Sequence, residues 1–139
     1  MTSSSNSLAT DVLQSFISLP KWVKFWLMFI LGPVNVASLF FLGEPGAGLI
    51  AVLVWVGMLL SGAPIPFERG ISKAAALGHL VPWTILVALI LFARPEGGSA
   101  AYQTYLTVLA VVNSISLAFD YLDSYKWFKG DRAIVRPAS

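Results

Sequence analysis

The chain is expected to fold as an all-α integral membrane bundle of four transmembrane helices, preceded by a short amphipathic helix. Three observations carry this. Apolar residues make up 57% of the 139 residues and charged residues only 12%, about half the roughly 25% of a soluble domain. Such a chain has too little polar surface to coat a globule. Four apolar stretches, about 22–42, 47–60, 77–93 and 100–120, reach or approach the roughly 20 residues that cross a hydrocarbon core of about 30 Å. All the charged residues except Lys24 and Asp120 lie between and beyond those stretches.

Residues 2–7 (TSSSNS) are small and polar, and disorder is expected there. Leu8, Val12, Phe16 and Leu19 then recur at helical spacing, with Asp11, Gln14, Ser15 and Ser18 mostly elsewhere. This is an amphipathic pattern. Such a helix lies in the headgroup layer or packs against the protein's own bundle. Pro20 ends it. Lys21 and Lys24 before an apolar run, with Gly46-Ala47-Gly48 after it, have the outline of a secretory leader. The run starts after twenty residues, however, and exceeds the roughly 7–15 residues of a leader, so it is read as a retained span.

The first span opens with Lys21, Trp22, Lys24 and Trp26, the cation and indole mixture of a membrane boundary. Gly32-Pro33 predicts a kink, because proline removes a backbone donor and crowds the preceding turn. Glu44-Pro45-Gly46 is a turn into the second span, which Ser61 to Pro66 closes. The loop over 61–73 is the most polar internal segment and carries Glu68, Arg69 and Lys73. Ser72 is the N-cap candidate of the third span, and Pro82 predicts a kink within it. Arg94-Pro95-Glu96-Gly97-Gly98 turns the chain into the fourth span, which is expected to end near Tyr121. Asp123, Lys126, Trp127 and Lys129 continue at helical spacing, and residues 130–139 are expected to form a loose tail.

Charge sets the expected orientation. Lys21, Lys24, Arg69, Lys73, Lys126, Lys129, Arg132 and Arg136 fall on one side of a four-span topology, and Arg94 falls alone on the other. The positive-inside rule then puts both termini and the 61–73 loop in the cytoplasm. The expected location is a bacterial inner membrane. A net charge of +2 does not imply nucleic acid, because the basic residues cluster at helix ends instead of forming a stripe.

Polar residues within the spans are the candidate functional positions, since burying them in lipid costs free energy. Asn35 and Ser38 in the first span, and Asn113 and Ser116 in the fourth, share the string N-x-x-S-L-x-F. The match stops at four identities and is read as coincidence rather than an inverted repeat. Counting from the expected helix ends places the two asparagines about 8 Å apart in depth. Each amide is therefore expected to bond a nearby carbonyl or hydroxyl instead of its counterpart. His79 and Asp120 lie near the same membrane face. Two arrangements fit: a carboxylate–imidazole pair, or an interfacial histidine with the aspartate held by Lys126 or Lys24, and the second is expected. Glu68, Arg69 and Lys73 are candidate loop contacts for a partner or anionic headgroups, or a solvated loop that fixes topology. Ala47-x-x-x-Ala51 and Ser114-x-x-x-Ala118 offer close helix approaches, and Trp55 and Trp83 are expected to fill the core.

The chain has no cysteine and one histidine, and no phosphate-binding glycine loop, H-E-x-x-H or G-x-S-x-G string. No catalytic site, cofactor or metal is therefore expected. The expected function is a non-enzymatic accessory, assembly or self-associating membrane subunit, whose partners are the bilayer and another membrane protein or a second copy. The alternative is a small oligomeric transporter or channel subunit with a path lined by Asn35, Ser38, Asn113 and Ser116, with Asp120 a further candidate on it.

Overall fold

Ser7 starts the helical part of the chain: its Oγ accepts the N–H of Thr10 at 3.1 Å and caps α1 (Leu8–Ile17). The computed structural model describes residues 6–138, and the disorder expected over residues 2–5 lies outside them. Among the described residues the chain is helix and turn, with no strand. Four helical rods are long and apolar enough to cross a membrane: Lys21–Phe41, Ala47–Glu68, Ala74–Phe92 and Ala100–Phe128.

The first rod changes its winding along its length. It runs as α2 (Lys21–Phe25), a wide π-helical stretch over Trp26–Leu31, α3 (Gly32–Val36) and a tight 3₁₀ stretch over Ala37–Phe41. Proline supplies the cause. Pro33 has no N–H, and its ring would press on the carbonyl four residues back. Widening the preceding turn relieves that crowding. The N–H of Gly32 accordingly reaches the carbonyl of Leu27, five residues earlier. A side chain at Gly32 would run into that same carbonyl, so glycine is required at the distortion. Pro82 behaves differently: it lies buried within the unbroken helix α6 (Ala74–Phe92).

The second rod is α4 (Ala47–Gly62), extended by α5 (Pro64–Glu68). The expected 61–73 loop is therefore helical as far as Glu68: Pro64 stands in the first turn of α5, where its missing N–H costs nothing. Arg69 then turns the chain with a positive φ of 55°, an uncommon conformation for a residue with a side chain. Ser72 Oγ accepts the N–H of Ala74 at 3.1 Å, but the N-cap of α6 is Lys73, one residue later than expected, because the chain becomes helical only at Ala74. The fourth rod, α7, covers Ala100–Phe128 and is capped by Ser99 through the N–H of Tyr102. At 29 residues it is about 43 Å long, well beyond a hydrocarbon core of about 30 Å. The sequence pattern ended it near Tyr121. Asp123, Lys126 and Lys129 are a helix end standing in polar surroundings, which apolar content does not reveal.

Helix α6 packs against both α4 and α7, and these three form the dense part of the bundle. Val54, Trp83, Leu86, Ile90, Leu106 and Leu109 are buried along the two seams. The α4–α6 seam is closest at Gly57 and Gly78. A side chain at Gly57 would strike the Trp83 indole, and one at Gly78 would strike the backbone of Leu60 and Ser61. The small-residue spacing that does this is Gly57-x-x-x-Ser61. Ala47 and Ala51 are also buried, whereas Ser114 and Ala118 face outward. Outward residues of α7 in a membrane span meet lipid, so the Ser114-x-x-x-Ala118 approach is not made within this chain.

The first rod touches α7 at separated points rather than along a continuous seam. Phe41 stacks on Tyr105 at 4.6 Å, Tyr105 Oη donates to the carbonyl of Val34 at 2.8 Å, and Trp22 meets Phe119 at 5.5 Å. At the turn end Glu44 accepts the N–H of Ser99, Tyr102 Oη donates to the carbonyl of Pro45, and Arg94 donates to Thr107 Oγ1. That end is closed.

Candidate functional site

The opposite end, where both ends of the described chain meet the 61–73 loop, is open. A cleft of about 760 Å³ lies between the first rod and the ends of α4, α6 and α7. Trp26, Leu27, Leu31, Met58 and Phe119 give it apolar walls, and Asn35, His79, Ser116 and Asp120 add polar groups. Its existence follows from the point contacts above: a rod wound as π- and 3₁₀-helix cannot match the regular ridges of α7 along its whole length.

His79 and Asp120 meet across the α6–α7 seam. His79 Nδ1 donates to Asp120 Oδ2 at 3.0 Å, and Ser116 Oγ donates to the same oxygen at 3.3 Å. The expected solvated histidine and lysine-held aspartate are therefore not found; both side chains are 12% exposed. Antiparallel packing of α6 and α7 brings the two residues level, and Trp83 fixes the ring. The imidazole stacks on the indole at 3.7 Å, nearly parallel, and the indole N–H is itself tied to the carbonyl of Val54 at 3.2 Å. Trp83 thus fills the core and also orients His79. Trp55 is partly buried, and its Nε1 has no partner among the described residues.

Asn35 and Asn113 also meet, against the sequence expectation. Each amide donates to the other's carbonyl oxygen, at 2.8 and 2.9 Å, and Asn35 also donates to Leu31 O at 2.9 Å. The depth argument misplaced one reference point. Measured from Phe128, the true end of α7, Asn113 lies about 22 Å in, and Asn35 lies about 20 Å in from Lys21. The two are level. The matching strings therefore run antiparallel about this pair, and Ser38 and Ser116 are both buried. Ser116 bonds Asp120, while Ser38 Oγ has no partner among the described residues.

The loop candidates form an internal clasp. Arg69 Nε donates to Asp11 at 2.7 Å and Lys73 Nζ to Asp131 at 3.0 Å. Glu68 accepts from Ser72 Oγ at 3.0 Å. The Arg69 guanidinium holds the Asp11 carboxyl below its usual range, and Lys73 does the same for Asp131. Neither Arg69 nor Lys73 is the unengaged cation of a solvated loop. The tail is not loose either. Ser15 Oγ donates to the carbonyl of Val135 at 2.6 Å and accepts the N–H of Ile71 at 2.8 Å; the N–H of Val135 reaches Ile71 O at 2.8 Å. Arg136 donates to the carbonyls of Glu68 and Arg69. Helix α1 therefore packs on the loop and tail through buried Ser15, while Leu13 and Ile17 stay exposed.

Sequence reasoning missed Ser15, Asp131 and Arg136 because their partners are 56 or more residues away and no local spacing marks them. Gly57-x-x-x-Ser61 was readable but indistinguishable from other small-residue spacings. Among the described residues, no group of three or more His, Cys, Asp or Glu is placed to hold a metal. Comparison with protein-family models, curated proteins and solved structures finds no match, so the functional argument stands on this geometry.

Proposed function

We propose that this chain is a non-catalytic membrane subunit that lodges one amphiphilic molecule in the cleft between its first span and the other three. The cleft itself carries the reading. Its volume falls in the range of about 300–1,000 Å³ typical of ligand sites, and apolar walls with a few convergent polar groups are their usual lining. In a bilayer the only abundant occupant of such a space is an alkyl chain. Ser116 bonds Asp120 and not His79, so no hydroxyl is paired with the imidazole as a nucleophile would be, which supports binding over catalysis.

The bundle end bearing the cleft lies on the cytoplasmic face of a bacterial inner membrane in this reading, because eight of the nine Lys and Arg residues gather there. Single cysteines replacing Lys129 and Glu96 test it: an impermeant thiol reagent added outside intact cells should label only the second. An accessory role fits the same site, with the cleft presenting its molecule to a membrane partner or a second copy. The transporter alternative has less support, because Asn35 and Asn113 satisfy each other instead of presenting free amides to a path.

A fluorescent single-chain amphiphile titrated onto the protein in lipid nanodiscs tests the proposal. Saturable binding near one per chain is expected. It should disappear in Ala75→Trp, which adds an indole to the half-buried cleft wall. Non-saturable partitioning, identical in both proteins, would overturn it.

A further inference from the structure

The cleft has a polar pattern more selective than an alkyl chain requires. Asp120 is 9% exposed and uses only Oδ2 for its bonds to His79 and Ser116. Its Oδ1 has no hydrogen-bond partner among the described residues, yet it is not among their fully sealed atoms, and Asp120 lines the cleft. His79 likewise bonds through Nδ1 alone, leaving Nε2 for the cleft. A largely buried carboxylate with a free oxygen calls for a donor, since a buried acceptor left unsatisfied has its desolvation cost uncompensated.

Depth narrows the donor's identity. The Asn35–Asn113 pair sits near the midpoint of α7. Asp120 lies about 10 Å from that level toward the cleft end, inside the half-thickness of about 15 Å of a hydrocarbon core. That leaves about 5 Å to the edge of the core, within reach of a hydroxyl on a lipid's glycerol. Lys126 also lines the cleft and lies about 20 Å from the same level, among headgroup phosphates. Unlike Arg69 and Lys73, Lys126 forms no ion pair among the described residues.

We infer that the cleft selects a single-chain lipid with a free hydroxyl on its glycerol and an anionic phosphate beyond it, a lysophospholipid. The inference rests on the amphiphile-binding reading above. The alkyl chain lies along Leu27, Leu31 and Met58, the hydroxyl donates to Asp120 Oδ1, and Lys126 meets the phosphate. A diacyl phospholipid has no free hydroxyl at that position to donate to Asp120.

The test compares 1-palmitoyl lysophosphatidic acid with its 2-deoxy analogue, titrated onto the whole chain in nanodiscs. The wild type should prefer the hydroxyl-bearing lipid about tenfold or more. Asp120→Leu should erase the preference, while Lys126→Ala should weaken both lipids and keep it. Equal affinities in the wild type, with both lipids lost in Ala75→Trp, would overturn the lysophospholipid inference and leave the cleft reading standing. Binding undiminished in Ala75→Trp would overturn both. The wild-type comparison decides alone if Asp120→Leu does not fold.

Discussion

Two seams of this bundle solve the same problem in opposite ways. Along α4–α6, glycines at 57 and 78 let a side chain and a backbone press directly into the neighbouring helix, and buried side chains line the seam. Between the first span and α7 the helices are pinned by an amide pair, a tyrosine and two aromatic contacts, and a cleft of about 760 Å³ opens beside the pins. Lipid gives helices no hydrophobic reason to associate, so packing and polar contacts must hold them. Continuous packing makes a rigid wall. Point contacts hold a helix at a distance and leave room for a ligand.

The largest effect should come from the packed seam. Gly78→Leu forces a side chain into the Leu60–Ser61 backbone, which cannot move aside. A loss of about 3 kcal/mol is expected in reversible unfolding in mixed micelles, at the upper end of ordinary overpacking costs. A loss under about 0.5 kcal/mol would mean the two helices are not in backbone contact.

The pinned seam should answer differently. Asn113→Leu strands the Asn35 amide and should cost about 1–3 kcal/mol. Adding Asn35→Leu should recover most of that loss, because neither partner is then left unsatisfied. Additive losses in the double-mutant cycle would show that the two amides do not bond each other.

How legible this was in the sequence differs between the same two regions. The four apolar stretches announced the spans, since lipid demands continuous hydrophobicity and the chain supplies it. The Gly32-Pro33 distortion was visible because a proline acts on its own turn. The polar pairs were not. Their partners are 41 and 78 residues apart, and judging them required the true end of α7, which lies in a polar stretch past the apolar signal. A seven-residue error in one helix end moved Asn113 about 10 Å in depth and hid its partner. The tail was unreadable for a related reason: Val135 and Arg136 are held by Ser15, Ile71 and the carbonyls of Glu68 and Arg69, with no pattern of their own.

That clasp gives the two smaller effects. Ser15→Ala removes both the acceptor for Ile71 N–H and the donor to Val135 O. A cost of about 1 kcal/mol is expected, with faster amide exchange at Val135 and Ile71 and none in α6. Exchange unchanged at both would show that Ser15 does not tie the tail to the loop.

Acid should loosen the clasp least but selectively. The Asp11 carboxyl is held below its usual range by Arg69, so its folded-state pKa is depressed. The contribution is then present at neutral pH and lost as pH falls through that depressed pKa. Protection of the α1 amides, taken relative to the intrinsic exchange rate at each pH, should fall with acidification, and Asp11→Asn should show the lower protection already at neutral pH. A variant that still requires acid would assign the effect elsewhere.

Native mass spectrometry of the chain extracted gently from its own membranes tests the central claim most directly. Each wild-type chain should carry one single-chain lipid, and Ala75→Trp should emerge bare. Wild type and variant both bare, or both equally loaded, would contradict an occupied cleft beside the first span.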